Sequence, residues 1–149
     1  MTTEEQPVKK MDKYTNIRYT LPNGDLHRLD GPALIRRNGN KYWYQYGNLH
    51  RVGGPAVIYL TSSEVWYRYG KQHRDNGPAV IHPNGYKAWY QKGLRHKDDG
   101  PAKIWPNGTK EYWLNGHELQ PGSLTLKLVL ERERRRNENT KCSTDQDNR

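Results

Sequence analysis

Glycine returns every 23 residues along this chain, at Gly24, Gly47, Gly70, Gly93 and Gly116. The same step links His27, His50, His73 and His96, then Arg28, Arg51, Arg74 and Lys97. It carries Gly-Pro-Ala triplets starting at Gly31, Gly54, Gly77 and Gly100, and it carries Ile35, Ile58, Ile81 and Ile104. Trp43, Trp66, Trp89 and Tyr112 complete the register. One unit, from Gly70, reads GKQHRDNGPAVIHPNGYKAWYQK. A fixed period of this length marks a repeat architecture, in which each unit buries its apolar face only by stacking on its neighbours.

The unit itself reads as a β-hairpin. Pro78 to His82 and Tyr86 to Tyr90 flank Asn84-Gly85, and Asn-Gly between two such runs is the strongest short-range hairpin signal. Asn38-Gly39 and Asn107-Gly108 stand in the same place, whereas the second unit offers Ser62-Ser63 and predicts a turn of another type. The Gly-x-x-His-Arg/Lys-x-x-Gly stretch predicts the connection into the next hairpin. Proline after its second glycine suits the first residue of a strand. A two-residue turn pairs Ile35 with Tyr42 and Ala33 with Tyr44. Ala33, Ile35 and Tyr44 then form the core face, and Trp43 shares the opposite face with Leu34, Val57 and Val80.

The expected fold is therefore all-β: an elongated antiparallel sheet of stacked hairpins over residues 14–122. Residues 1–13 are polar and expected to be flexible. Residues 123–136 predict a short capping helix with Ser123 as N-cap, since Leu, Lys, Glu and Arg favour helix and stacked repeats need covered ends. A disordered tail is expected over 137–149. Within the helix, Glu131 and Arg135 are spaced for an i,i+4 ion pair.

Composition narrows the function classes. Only 32% of the chain is hydrophobic, Phe is absent, and five Trp and eleven Tyr supply the bulk, which predicts a thin core. The net charge is +9, and residues 24–116 carry 14 Lys/Arg against 7 Asp/Glu, a balance of +7, so the charge belongs to the repeats. Such a field favours nucleic acid, anionic lipid or an acidic protein as partner. The lone Cys142 predicts a reducing, cytoplasmic setting. Met1 to Glu5 lead into no apolar stretch, and no run approaches the roughly 20 residues of a membrane span.

At this point the chain resembles the MORN-repeat family, in the variant form of bacterial and large-virus proteins. The likeness rests on Gly-x-x-His, a following glycine, the Asn-Gly turn and the paired aromatics from Gly24 to Gly116. The resemblance implies an elongated sheet of successive hairpins, and roles in membrane association, protein scaffolding and dimerisation. The commoner pattern runs Gly-x-x-His-Gly-x-Gly, whereas here Arg28, Arg51, Arg74 or Lys97 follows the histidine.

The repeated residues carry structural and functional readings side by side. His27, His50, His73 and His96 recur two strands apart, about 9–10 Å, which makes a ladder rather than a metal cluster. Bonding to loop backbone groups is the preferred role for them, as structural placement is for Gly31, Gly54, Gly77 and Gly100. Asp30, Asp75, Asp98 and Asp99 are expected to form turns or pair with adjacent cations. A site reproduced four times along a sheet lacks the convergence catalysis needs, so neither an enzyme nor a cofactor or metal is expected. Arg28, Arg51, Arg74 and Lys97 suit either phosphate contact or bracing of their own loops. Lys87, Lys92 and Arg95, less tied to the register, are candidates for a specific charged surface. Trp43, Trp66, Trp89 and Tyr112 form the most suggestive row, because an uncovered aromatic stripe marks an interaction site. The expectation is a non-enzymatic scaffold binding a protein, such as a second copy of the chain. Nucleic-acid or nucleotide binding, as in viral counter-defence, and attachment to anionic membrane are the alternatives.

Overall fold

A computed structural model describes residues 6–144. It shows an all-β repeat of hairpins followed by one C-terminal helix. Ten strands form one antiparallel sheet in chain order: Val8–Met11, Ile17–Thr20, Leu34–Ile35, Lys41–Tyr42, Val57–Ile58, Glu64–Val65, Val80–Ile81, Lys87–Ala88, Lys103–Ile104 and Lys110–Glu111. Every strand pairs with its sequence neighbours in the sheet, so all pairing is within a unit or between adjacent units.

Each unit holds two hairpins, where the sequence reading expected one. Beyond the sheet, Tyr44–Gln45 pairs with Asn48–Leu49, and Tyr67–Arg68 with Lys71–Gln72. Tyr90–Gln91 pairs with Leu94–Arg95, and Trp113–Leu114 with His117–Glu118. Their two-residue turns are Tyr46-Gly47, Tyr69-Gly70, Lys92-Gly93 and Asn115-Gly116, with φ of 47–52° at the first residue and 73–88° at the glycine. Two successive positive φ angles define the turn whose twist matches that of a hairpin. The Gly-x-x-His stretch is thus half hairpin and half connection.

The Asn-Gly loop is one residue longer than expected, and that single residue exchanges the faces. Arg36 N–H donates to Asn40 O and Gly39 N–H to Arg36 O, leaving three residues in the loop with Gly39 at φ 84°. Ile35 consequently pairs with Lys41 and Leu34 with Tyr42. A slip of one residue moves every side chain to the other face. Leu34, Val57 and Val80 therefore lie with Tyr44, Tyr67 and Tyr90, while Ala33 and Ile35 share the Trp43 side. The second unit uses the same loop, not another type: Tyr59 and Ser63 close it, and Ser62 takes the glycine's place at φ 62°.

The core follows this register. Val57, Val65, Val80 and Ala88 are buried together, with Tyr42, Leu49, Tyr59, Tyr67, Tyr86 and Tyr90 packed around them. On the other side Ala33, Ala56, Ala79 and Ala102 are fully buried, one in each unit. The central row ends in charge. Lys103 pairs with Glu111 at 3.1 Å, and the indole N–H groups of Trp105 and Trp113 donate to the same carboxylate. Burial opposes ionisation of Glu111, but these three donors together hold it below the usual carboxylate range.

Both flanks are more ordered than the sequence suggested. Val8–Met11, placed in the flexible segment 1–13, pairs in full with Ile17–Thr20. The helix runs Leu124–Thr144, so residues 137–144 of the expected tail continue it, while 1–5 and 145–149 lie outside the described residues. Ser123 Oγ accepts the Leu126 N–H at 3.2 Å, as an N-cap does. Glu131 pairs with Arg135 on the outer surface. Val129 is fully buried, and Glu133 and Arg136 reach back to the last unit. No described helix is long and apolar enough to cross a membrane.

Candidate interaction surface along the loop edge

The two most suggestive columns of the sequence meet each other. The Arg51 guanidinium lies 4.1 Å from the Trp43 ring centre, Arg74 lies 4.0 Å from Trp66, and the Lys97 ammonium 4.4 Å from Trp89. Arg28 covers Tyr19 in the same way at 4.0 Å. Each cation is held from the other side by the glycine that opens Gly-Pro-Ala. A Cβ on Gly31 would stand 2.8 Å from the Arg28 guanidinium carbon, and one on Gly54 3.0 Å from that of Arg51. Arg51 and Arg74 also donate to the Pro55 and Pro78 carbonyls, both at 3.1 Å. Ring, cation and glycine make a sandwich repeated once per unit, so one face of each indole is already occupied. Burial, with Arg136 alongside, holds the Lys97 ammonium below its usual range against the pull of Asp99.

The histidines tie each Gly-x-x-His stretch to the small hairpin that follows it. Nδ1 of His27, His50, His73 and His96 accepts the backbone N–H of Tyr46, Tyr69, Lys92 and Asn115, each at 3.1 Å. Those donors are the first turn residues of the following small hairpins, whose N–H groups point away from their own ladder. Burial, and then the Arg68 charge, lower the His50 pKa, which keeps this imidazole neutral and able to accept. Among the described residues no three His, Cys, Asp or Glu side chains converge on one metal position.

The remaining predicted site residues fall apart. Tyr112, fourth in the Trp row, lies beneath the helix and donates to Glu133 at 3.1 Å. Lys87 and Lys92 are exposed on different strands and turns. Arg95 is folded in: it lies 4.6 Å from the Trp113 ring centre and donates to Tyr90 Oη at 2.9 Å. These three do not form one charged patch.

Among the places where the structure leaves apolar side chains open is the loop edge. Leu29 is 63% exposed, Tyr46 59%, Val52 72% and Tyr69 69%. Leu29 and Tyr46 line one hollow with Leu21 and His27. Leu29 and Val52 line the next with Trp43 and His50, and Tyr69 lies on the His50 ring at 4.2 Å. Two further clefts repeat along the array, one between the Arg51 and Arg74 loops and one between the Arg74 and Lys97 loops. At these apolar positions the later units carry Asp75 and Asp98, and Lys92 and Asn115. Sequence reasoning passed over Leu29, Tyr46, Val52 and Tyr69 because it followed what the units share. The signal lay in what they do not share.

Neither a protein-family model nor a curated protein sequence matches the chain.

Proposed function

We propose that this chain is a non-enzymatic binding or scaffolding module whose partner is another protein, held along the loop edge of its first two units. One observation carries the reading: large apolar side chains stand exposed where the fold does not require them. Tyr46 and Tyr69 occupy left-handed backbone at φ 47° and 49°, a conformation that disfavours bulky residues. Lys92 and Asn115 hold the same turn, with the same histidine bond, at φ 52° and 48°. Tyrosine is thus not required by the turn, although its ring rests on the accepting histidine, Tyr46 on His27 at 4.4 Å and Tyr69 on His50 at 4.2 Å. Exposed apolar area of this kind favours association by about 25 cal/mol per Å² once covered.

The stacked hairpins agree with the resemblance to MORN repeats, and a scaffold inside the cell is the setting that reading proposes. A partner recognised by shape along a rigid array fits better than a polyanion, since the row cations are engaged with rings and carbonyls. The test replaces Leu29 and Val52 by Asp, and Tyr46 and Tyr69 by Asn, residues that later units carry at the equivalent places. The fourfold variant should melt like wild type and lose a protein partner that wild type retains after nuclease treatment. Loss of that partner from wild type on nuclease treatment would instead favour nucleic acid.

A further inference from the structure

The cation column is not uniform in what balances it. Arg28 Nε meets Asp30 at 2.7 Å, and Asp99 lies 3.9 Å from Lys97 and 2.9 Å from Arg136. Asp30 and Asp99 occupy the same place in their units, where the middle units have Gly53 and Asn76. Arg51 and Arg74 accordingly have no carboxylate partner among the described residues. Both line the middle cleft, of about 260 Å³, together with Arg68. Its single acid, Asp75, is shared between His73 at 2.9 Å and Arg68 at 3.4 Å. Three arginines face one aspartate there, a surplus of two positive charges. The next cleft sets Arg74, Lys97 and Arg136 against Asp75, Asp98 and Asp99 and has no surplus.

We propose that the cleft between the Arg51 and Arg74 loops binds one oxyanion, a carboxylate or phosphate carried by the partner protein. This rests on the loop-edge reading for its source but not for its chemistry. Arg51 and Arg74 are held in place by Trp43, Trp66 and the proline carbonyls, so their remaining N–H groups are pre-oriented and little side-chain freedom is lost on binding. Gly53 leaves the mouth open, since a Cβ there would meet nothing within 4 Å. Acids on both sides, Asp30 in one neighbouring cleft and Asp98 and Asp99 in the other, disfavour a continuous polyanion. They allow a single charge.

The experiment is an NMR titration of the full chain with inorganic phosphate and, separately, succinate, following the indole N–H and arginine Nε–H signals. Saturable shifts should centre on Trp66, Arg51 and Arg74, with Trp89 as the internal control. Asn76→Asp, which supplies the aspartate that unit one carries, should weaken binding about tenfold while melting no lower than wild type. Arg68→Gln should weaken it as well. Phosphate acting far more strongly than succinate would assign a phosphorylated side chain as the source, and comparable binding an acidic one. Shifts spread evenly over all the indoles, no saturation, or unchanged affinity in Asn76→Asp would overturn the site. Tight binding of a single-stranded oligonucleotide, abolished by Asn76→Asp, would overturn the protein source. The small anions need no partner, so the site can fail while the loop-edge reading stands, and the reverse.

Discussion

Gly54 has no positive φ, unlike the turn glycines and unlike its counterpart Gly77 at φ 131°, and what glycine provides at this position is room. The space its Cβ would occupy is filled by the Arg51 guanidinium, pinned against Trp43. Gly54→Ala should therefore push the cation off the ring and cost about 1–3 kcal/mol, the usual penalty of overpacking. In an Arg51→Ala background the same change should cost far less, because the obstacle has gone. Urea melts of the two single variants and the double variant measure the coupling, expected at about 0.5–3 kcal/mol. Additive costs would dissolve the sandwich. The sequence displayed Trp43, Arg51 and Gly54 in one register but could not say that they touch. Trp43 and Arg51 are brought together by the hairpin at Tyr46-Gly47, whose turn chemistry the sequence reading overlooked. It judged the cations as either phosphate ligands or loop braces, and the ring contact is a third arrangement that only the fold reveals.

The hairpin at the element scale shows where pattern reading fails by one. The alternation of apolar residues identified the strands and the 23-residue step identified the array, but face assignment depends on a loop length that Asn-Gly alone leaves open. Three loop residues instead of two place Val80 rather than Ile81 beside Ala88. Ser62 then stands in left-handed backbone where its counterparts are glycine, and Ser62→Gly should stabilise the protein by about 0.5–1 kcal/mol in a thermal melt. The histidine links to the small hairpins have their own signature. His50 accepts the Tyr69 N–H only while neutral, and burial lowers its pKa below the ordinary value of 6.5. A depressed folded-state pKa means that the contribution is complete above the ordinary value and is lost as pH falls through the folded one. Hydrogen exchange at the Tyr69 amide should thus lose protection on acidification below that range. Protection indifferent to pH would show that the imidazole does not hold the turn.

Across the whole molecule the two ends of the array are finished differently. At the first, Val8–Met11 leaves an outer edge with Lys9 and Lys10 exposed, and charged edge residues guard against unwanted pairing. At the last, no further hairpin remains to donate to a histidine, and Leu119 replaces it while keeping the backbone bond to Tyr112 O. The helix closes this end through Val129, through Arg136 on Asp99, and through Glu133 on Tyr112 and Lys110. That some segment must cap the end was legible in the sequence, but the latch was not, since nothing in the residue pattern pairs Tyr112 with Glu133. Burial, reinforced by the Glu133 carboxylate, pushes the Tyr112 pKa up from 10.0 to about 12. A raised folded-state pKa contributes stability that is complete below the unfolded value and lost as pH rises through the folded one. The helix should therefore stay docked through neutral pH and loosen between 10.0 and about 12, as tyrosinate forms beside a carboxylate. Burial raises Tyr44, Tyr59 and Tyr86 as well, so the titration is followed at the ring signals of Tyr112 itself, which should be a late-titrating group in wild type. In Glu133→Gln that group should titrate earlier, with the helix still docked by Val129. Val129→Asp is the complementary variant: a buried unpaired charge should release the helix at neutral pH, leave the sheet's circular dichroism in place, and bring Tyr112 back towards ordinary titration. A Tyr112 midpoint unmoved by either substitution would mean that the helix is not what closes the array.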